Sequence, residues 1–494
     1  MRRLSDGAVL LELSNADALG LAAALTAAPP AGFLDAVPGA RTLLVLFDPD
    51  RFDLASIDAA QRSPARPLPR TVRLRTVYDG PDLPAIAAVT GLSTSGITRL
   101  HTEAVHTVAF LGFAPGFAYL SGAPEALALP RLKTPRVRVP AGSVAVAGGY
   151  SGVYPADTPG GWQLIGRVAE RMFDPESTPP GLLRPGDRVL FESVGQLPAI
   201  AAPERSPQKG EAVLRVHAPG PFTSIQGSPR YGLAASGVPA GGAMDLAALA
   251  AANELLGNPP GAAGLEMTVA GPELEALADL RVAVSGRVRH LRAGDRLKIG
   301  MLGGGARGYV TVEGGLLQSR PGEPTRALQR GEELRRAPQP SSSAPPRADS
   351  LPGPEAGAGA AGTPRLISGH VIEVRALAGP QFDDFLEPGL FFSTEYTLSP
   401  HSDRRGLRLQ GPPLLPLRSD IAPEGTAPGA VQVPGDGLPI VLGPDRPVTG
   451  GYPKIATVIT ADLELLAQAR PGSRIRFQRV ELAESLRARR GAHR

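Results

Sequence analysis

Short apolar runs separated by glycine and proline turns extend along most of the chain. In the first part, AVLLE (8–12) and TLLVLF (42–47) have the composition of strands, and the stretch near 16–28 between them has that of a helix. These segments predict a small α/β domain, which we place at residues 1–70 together with the Pro/Arg-rich joint at its end.

The pattern then changes to that of a barrel that contains two helices. TVRLRTVY (71–78) alternates as a half-buried strand does. Residues 81–91 predict a helix with proline in its first turn and Gly91 at its end, and a second helix follows over 93–101. Short strands and Gly/Pro turns come next, so residues 71–200 are interpreted as one barrel unit.

The second half repeats this strand-rich pattern after residues 201–212, whose few apolar side chains predict a linker. We divide the rest into barrel units at 213–305 and 306–480 and a basic, frayed tail at 481–494. Ser, Pro, Ala and Gly dominate 337–364, which predicts a disordered insertion. A weak internal repeat, in which a turn is followed by a strand, occurs three times, in RPGDRVLFE (184–192), RAGDRLKIG (292–300) and RPGSRIRFQ (470–478). Each copy could close one unit, which supports three barrel-like units.

Composition narrows the class of protein. Glycine (60) and proline (53) approach a quarter of the 494 residues, and most lie between apolar runs, which fits a mainly β, turn-rich fold. No cysteine is present, so disulfides, thiol nucleophiles and cysteine-ligated metal clusters are excluded. Basic and acidic residues are interspersed and give a net charge of +4, without the basic stripe of a nucleic-acid-binding protein.

The N-terminal segment and the hydropathy bear on localisation. Asp6, Glu12 and Asp17 interrupt the apolar N-terminal region, so no signal peptide is predicted. No uninterrupted apolar run is long enough to span a bilayer. We therefore expect a cytoplasmic protein that binds neither membrane nor nucleic acid.

The richest candidate for chemistry is GFAPGFAYLSG (112–122) followed by residues 130–167. Tight turns at its glycines and prolines can point backbone N–H groups at a ligand. Positive charge and aromatic walls accompany them: Arg131, Lys133, Arg136, Arg138, Tyr119, Tyr154 and Trp162. The alternative interpretation is a barrel rim with solvated arginines. No P-loop is present, so a nucleotide would have to be held by such rim loops, and GAGAAG (357–362) lacks the strand and helix of a dinucleotide fingerprint.

This segment resembles the family of the 5-oxoprolinase B subunit, also called allophanate hydrolase subunit 1, which includes a sporulation-kinase inhibitor and a part of urea amidolyase. The resemblance covers residues 1 to about 200. It rests on PGFAYL, PR…VPAGSVA, G.YP and PGGWQLIGR in that order, with YDGPDL (78–83) and GLS…LH (91–101) before them.

The second half resembles the family of the C subunit of the same enzyme, the allophanate hydrolase subunit 2 or carboxyltransferase-like family, over about 213–480. GPFTSIQ, GVPAGGAMD, AANELLGNP, LEMTVAGPEL, SDRRGLRLQGP and VQVPGDGLPIVLGPDRPVTGGYPKIA carry it. The family's usual motif after the central GG is replaced here by residues 314–329, and 337–364 is an apparent insertion.

The resemblance implies cyclophilin-like β-barrels, one in the first half and two in the second, after an α/β N-terminal domain. It also implies ATP-dependent opening of 5-oxoproline to glutamate with a separate A subunit, Mg²⁺ accompanying ATP, and no biotin on this chain. A homo-oligomer is a further possibility. The alternatives are a kinase-inhibiting regulatory protein and a urea- or allophanate-processing component, although neither a biotin-carrying Met-Lys-Met context nor an amidase signature is found.

Three residues are catalytic candidates. His101, at a predicted helix end, could be a general acid/base, or could interact with the helix C-terminus. Asp436 lies in a PGDG turn and could point inward, or could only make the turn. Lys454 is one of four lysines in an arginine-rich chain, so we predict that it contacts a phosphate; the alternative is a solvated strand end.

Further residues are candidates for binding substrate or ATP. Asp245 is more simply the N-cap of a helix that presents Asn253 on its apolar face. Arg230 and Glu266 could form an ion pair or line the site. The full set of binding candidates is Arg136, Ser143, Tyr154, Trp162, Arg230, Asp245, Glu266, Gln432 and Tyr452. No histidine spacing indicates a metal, so no tightly bound transition metal is expected.

Overall fold

The structure, a computed structural model, describes residues 1–62, 68–198, 209–338 and 371–492. Its N-terminal domain is a four-stranded sheet of order β1-β2-β4-β3 with two helices on one face. Ser14 caps the first helix by accepting a hydrogen bond from the backbone N–H of Asp17. The elements are β1 Arg2–Ser5, β2 Ala8–Glu12, α1 Asn15–Ala27, β3 Phe33–Pro38, β4 Thr42–Phe47 and α2 Ala55–Gln61.

The opposite face of this sheet is completed by the second half of the chain. Because side chains alternate along a strand, Val9 and Leu11 pack on the helices while Ala8 and Leu10 point the other way. There they meet residues from distant parts of the sequence in one apolar cluster, which we call the shared core: Leu4, Ala8, Leu10, Val37, Leu44, Leu46, Ala234, Ala427 and Val448.

The rest of the first half is a closed seven-stranded barrel of order β10-β7-β6-β13-β5-β12-β9, with β8 and β11 as a separate ribbon. Both predicted helices are confirmed, and Gly91 ends the first in a left-handed conformation. The elements are β5 Thr71–Val77, α3 Leu83–Thr90, α4 Thr94–Glu103, β6 His106–Leu111, β7 Ala118–Ser121, a 3₁₀ turn Glu125–Leu127, β8 Arg136–Val139, β9 Ser143–Ala147, β10 Tyr150–Val153, β11 Thr158–Gly160, β12 Gln163–Val168 and β13 Arg188–Ser193.

The next unit is a pair of sheets around one core rather than the expected closed barrel. Their orders are β20-β17-β14-β22 and β15-β16-β21-β18-β19, so β21 and β22 belong here and the unit extends past the predicted boundary at 305. The elements are β14 Ala212–Ala218, β15 Thr223–Gln226, a 3₁₀ turn Ala234–Ser236, α5 Leu246–Glu254, β16 Gly264–Thr268, β17 Glu273–Ala276, β18 Leu280–Val284, β19 Arg287–Leu291, β20 Arg296–Lys298, β21 Arg307–Val312 and β22 Glu333–Arg335.

The last unit is a second closed seven-stranded barrel, of order β23-β30-β27-β28-β25-β24-β31. Its first and last strands pair in parallel, as β5 and β13 do in the first barrel. The elements are β23 Ile372–Ala378, α6 Leu390–Ser393, β24 Glu395–Leu398, β25 Gly406–Gln410, β26 Glu424–Gly425, β27 Ala430–Gln432, β28 Ile440–Leu442, β29 Thr449–Gly450, β30 Lys454–Val458, α7 Leu463–Ala467, β31 Arg474–Arg479 and α8 Leu482–Ala492, with 3₁₀ turns at Phe382–Asp384 and Thr460–Asp462. The predicted mainly β fold with closed barrels is confirmed.

The segment predicted as a frayed basic tail is instead the helix α8. Its Arg489 donates hydrogen bonds to Asp48 at 3.0 Å and to Asp50 at 3.1 Å, so the end of the described chain is tied to its N-terminal domain. The predicted insertion and most of the linker lie outside the described residues, as does part of the 63–70 joint. Among the described helices, none has the length and apolar character needed to cross a membrane.

Candidate active site at the junction of the two halves

An aromatic cluster covers the outer face of the first barrel. The cluster includes the outward-pointing side chains of β6, β7 and β9. Successive side chains of a strand point to opposite faces, so the residues between them point into the barrel. Trp162 meets Phe117 edge-on at 5.3 Å between ring centroids, and Tyr119 at 5.5 Å. Tyr154 is buried against Phe117 at 5.2 Å. Tyr154 and Trp162 therefore belong to one aromatic cluster.

The polar candidates beside this cluster hold local structure. Arg136 pairs with Asp82 at 2.6 Å, and Asp82 also accepts the backbone N–H of Leu164. Ser143 donates to the carbonyl of Pro140 at 2.7 Å. Burial raises the pKa of the Tyr154 phenol, although the nearby charges of Arg131 and Arg136 act in the opposite direction. Arg136 and Tyr154 are thus close enough to interact electrostatically.

The loop 112–117 connects this aromatic cluster to the second half. The backbone N–H of Gly116 donates to the carbonyl of Ser236 at 2.9 Å. A Cβ at position 112 would lie 1.6 Å from Oγ1 of Thr449, and one at Gly237 would lie 2.8 Å from the carbonyl oxygen of Ala114. Only glycine leaves room for the Thr449 side chain at one position and for the Ala114 backbone at the other, so the loop is fitted to the second half at both of its ends.

Lys454 lies at this junction, but it is not a solvated strand end. Its side chain is 1% exposed, and its ammonium group donates to Glu424 at 3.0 Å and to the carbonyl of Tyr452 at 3.1 Å. Glu424 also accepts from Gln381 at 3.1 Å. Burial lowers the pKa of Lys454, and the charge of Glu424 works against that effect. The solvated-strand-end interpretation is therefore wrong, whereas the phosphate contact stays a prediction.

The contacts of Glu424 explain why the Lys454–Glu424 ion pair lies between the two halves of the chain. Glu424 and Gly425 form β26, which pairs with β29 and packs on β3 and β4 of the N-terminal domain. The carbonyl of the preceding Pro423 accepts the backbone N–H of Ala40 at 2.8 Å. The ion pair therefore reinforces the strand on which the first half rests.

A second buried charge network is centred on Arg404. Its guanidinium group binds Glu266 at 2.6 Å and Asp445 at 2.8 Å, and it donates to the carbonyl of Gly242 at 2.6 Å. Burial opposes the charged form, but Glu266 and Asp445 together raise the pKa of Arg404. The expected Arg230–Glu266 ion pair is therefore not formed. Arg230 instead donates to the carbonyl of Ser319 at 2.5 Å.

This network extends into the helix cap predicted at Asp245. Asp245 accepts the backbone N–H of Ala248 at 2.8 Å, which confirms the cap, and it also accepts from Gln468 at 2.6 Å. Tyr309 donates to Glu266 at 2.8 Å and accepts the backbone N–H of Asp245. Burial raises the pKa of Asp245. Asp245 and Glu266 are thus fixed by their partners and hold the start of α5 next to β16 and β21.

A third buried group, Asp35, links the N-terminal domain to the second half. Its carboxylate accepts the backbone N–H groups of Gly232 at 2.8 Å and Ala234 at 3.3 Å. Burial raises the pKa of Asp35 to about 6. Burial likewise lowers the pKa of the neighbouring Arg446 to about 10. No local pattern indicated Asp35, because its partners lie almost 200 positions away.

Two catalytic candidates lie away from this junction. His101 is enclosed in the first barrel, where its ring nitrogens contact Tyr78 at 2.7 Å and Ser151 at 3.0 Å. Burial, and then repulsion from His106, lowers the pKa of His101 well below its usual value. Asp436 is exposed and accepts the backbone N–H of Leu438 at 3.1 Å. His101 thus lies in the barrel core, and Asp436 accepts a hydrogen bond within its own turn. A catalytic role for either residue stays a prediction.

The remaining candidates lie near Lys454. Gln432 pairs across the sheet with Lys454 and faces Gly450, and Tyr452 contributes its carbonyl to the ammonium group. Asn253 is a buried structural residue that donates to the carbonyls of Pro260 and Ala262. Across residues 1–62, 68–198, 209–338 and 371–492, no group of three or more potential metal-ligating side chains is found.

Sequence reasoning missed Phe113, Arg404, Glu424, Asp445 and Arg446. Arg404, Asp445 and Arg446 all lie in the stretches SDRRGLRLQGP and GPDRPVTGGYPK, whose charged residues between glycines and prolines were a usable signal. Glu424 also lies between a proline and a glycine, but only the folded structure brings it to Lys454.

Comparison with known protein families agrees with this two-part architecture. Residues 1–183 match the carboxyltransferase domain, subdomain C and D, and residues 236–479 match the carboxyltransferase domain, subdomain A and B. The fold and junction thus define a chain of carboxyltransferase-domain type.

Individual relatives narrow the family. The chain is 44% identical to the 5-oxoprolinase B subunit of Escherichia coli O157:H7 over 167 residues, which are 32% of this chain and 77% of that protein. It is 33% identical to the 5-oxoprolinase C subunit of Escherichia coli K12 over 309 residues, 56% of this chain and 94% of that protein. The crystal structure of TTHA0988 superimposes with a TM-score of 0.81 at 34% identity, covering 95% of this chain and 99% of the other. The chain therefore belongs to the families of the 5-oxoprolinase B and C subunits, joined in one polypeptide.

Proposed function

We propose that this chain is the activating B and C module of an ATP-dependent 5-oxoprolinase and converts 5-oxoproline to glutamate together with a separate A subunit. The observation that carries the proposal is the junction: regions similar to two separate subunits share one apolar core and fit at Gly112 and Thr449. A composite site needs such a fixed relation between its parts.

The proposed reaction uses ATP because the lactam amide of 5-oxoproline is stable and has to be activated before its ring can open. The lactam oxygen attacks the γ-phosphorus of ATP, and ADP leaves with the electrons of the broken P–O bond. Water then adds to the activated ring carbon, and the C–N bond breaks as the leaving nitrogen takes up a proton, which leaves an acyl phosphate. A second water cleaves this acyl phosphate into glutamate and phosphate. Donors fixed before the reaction stabilise the negative charge that develops in such steps.

The junction supplies candidate groups for binding and positioning. Arg136, Tyr154, Trp162, Arg230, Gln432 and Tyr452 are proposed to line the site, while Ser143, Asp245, Glu266 and Lys454 position the loops that form it. The carboxylates of Glu266, Asp445 and Glu424 are already paired with buried cations. Mg²⁺ would therefore arrive with the nucleotide rather than be held by these groups.

A coupled assay tests the proposal. The purified chain and a candidate A subunit receive ATP and 5-oxoproline, and ADP and glutamate are measured; urea replaces 5-oxoproline in a parallel reaction. We expect 5-oxoproline-dependent formation of both products only when both proteins are present. Equal ADP formation without 5-oxoproline, or none in any combination, would refute the proposal.

Urea is the second candidate substrate because the chain is also 30% identical over 324 residues to a putative urea carboxylase of Emericella nidulans, although those residues are only 25% of that protein. Urea-dependent ADP formation without a response to 5-oxoproline would favour this alternative.

A matched pair of variants connects the activity to the junction. Gly112→Ala places a methyl group against Thr449, whereas Gly195→Ala meets nothing within 4 Å. We expect Gly112→Ala to reduce turnover strongly and Gly195→Ala to leave it unchanged. Equal turnover in both variants would show that the fit at the junction is not needed for the reaction.

A further inference from the structure

Phe113 combines two unusual properties. It lies in a left-handed backbone conformation, with φ of 66°, and the backbone N–H of Ala114 donates to the carbonyl of Gly112 at 2.7 Å. A hydrogen bond across one residue at positive φ is a rare and strained γ-turn. Glycine would occupy this position without strain, so the local fold does not account for an aromatic residue there.

The side chain of Phe113 is also 39% exposed, although it borders a buried aromatic cluster. Phe117 meets it edge-on at 5.3 Å and Tyr154 at 6.3 Å. These contacts orient the ring while more than a third of the side chain remains open to solvent. The loop that carries it is held from both ends by the second half, through Gly112 and Gly116. The ring is thus presented in a fixed position at the junction.

Positive charge acts on the aromatic cluster that this exposed ring borders. Arg131 acts electrostatically on both Tyr119 and Tyr154, which belong to the same cluster. Burial raises the pKa of Tyr119 to about 12, and Arg131 is the first group that works against this rise. An oriented, exposed aromatic ring on a cluster that an arginine charge reaches suits a ligand with a flat base at one end and phosphates at the other.

We propose that Phe113 is a base-stacking residue for ATP, which places the nucleotide on the first half of the chain, with Arg131 on the phosphate side. This assignment rests on the proposed function, because it names the site of the nucleotide in that reaction. Stacking of a base on an aromatic side chain changes affinity on the order of 10- to 100-fold.

The only tryptophan of the chain reports on this site. Trp162 is 5.3 Å from Phe117, which in turn contacts Phe113. Titration of the purified full-length chain with ATP should give a saturable change in tryptophan fluorescence. Phe113→Leu should weaken ATP binding on the order of 10-fold or more, and Phe113→Tyr should restore it. Melting temperatures of all variants confirm that they are folded.

Val269 provides the matched control. It also has φ of 66°, and Ala270 donates to the carbonyl of Thr268 at 2.7 Å, so the same strained turn occurs in the other half. Val269→Ala should bind ATP like the wild type. The proposal is overturned if the wild type gives no saturable signal, or if Phe113→Leu binds ATP as tightly as the wild type.

Steady-state kinetics with the A subunit separates this proposal from the proposed function. Phe113→Leu should raise the KM for ATP and change kcat little, because stacking acts on binding. If the assembly is active but Phe113→Leu has an unchanged KM for ATP, the stacking proposal fails and the proposed function stands. If ATP binds through Phe113 but 5-oxoproline is not converted, the proposed function fails and the nucleotide site stands.

Discussion

Replacing Lys454 tests whether this residue acts through structure or through chemistry. Lys454→Met keeps most of the side-chain volume but leaves Glu424 buried without its cation. Breaking a buried ion pair by removing one partner costs about 3–5 kcal/mol. At about 2–4 °C per kcal/mol, the transition of the second barrel should fall by about 10 °C.

The double variant Lys454→Met with Glu424→Gln separates the charge from the packing. It removes both charges, so it should recover more than half of the lost melting temperature, because a neutral pair has no uncompensated charge to bury. Lys298→Met is the control, since Lys298 is exposed. The measurement is thermal unfolding followed by circular dichroism. Lys298→Met should shift the melting temperature by no more than about 1 °C. A shift that small for Lys454→Met would show that the buried ion pair does not stabilise the fold.

Three further outcomes follow from the junction. Gly112→Ala should destabilise the chain by about 1–3 kcal/mol in denaturant unfolding, because overpacking strains its contact with the second half, while Gly195→Ala should not. Arg404→Met leaves two carboxylates buried and should cost about 3–5 kcal/mol by the same measurement; a loss below about 1 kcal/mol would contradict the network. Because the pKa of Asp35 is raised in the folded state, its stabilising contribution is lost as the pH rises through about 6. Relative to Asp35→Asn, the free energy of unfolding of the wild type should therefore fall by about 1.5 kcal/mol between about pH 5 and 8. Parallel plots of this free energy against pH for the two proteins would refute the prediction.

Local patterns in the sequence were sufficient for most elements. The helix over α3 was predicted from its proline and glycine ends, and Gly91 takes the left-handed conformation expected of a helix stop. Asp245 was identified as a cap from its position alone. The turn-then-strand repeat corresponds to a real similarity for two of its three members. β13 and β31 each pair in parallel with the first strand of their barrel, whereas β20 pairs antiparallel with β17 in an open sheet.

Charge partners could not be predicted in the same way. Glu266 binds Arg404, which is 138 positions away, and Lys454 binds Glu424, which enters through a two-residue strand. Turn residues around Asp436 and Lys454 look alike in the sequence, yet one side chain is exposed and the other is enclosed. Local spacing sets backbone conformation, whereas burial depends on which distant segment covers a residue. Helix α8 was missed for the same reason, since its arginine is held by the N-terminal domain.

The shared core has a consequence for synthesis of the protein. Leu10, Leu44 and Leu46 leave the ribosome early, but Val448, which covers the same sheet face, follows about 400 residues later. At a translation rate of about 5–20 residues per second, this face of the sheet stays uncovered for roughly 20–80 s. During that time the nascent N-terminal domain exposes an apolar surface that can associate with other chains. Chaperone supply during translation should therefore limit the yield of this protein more than the stability of its finished fold.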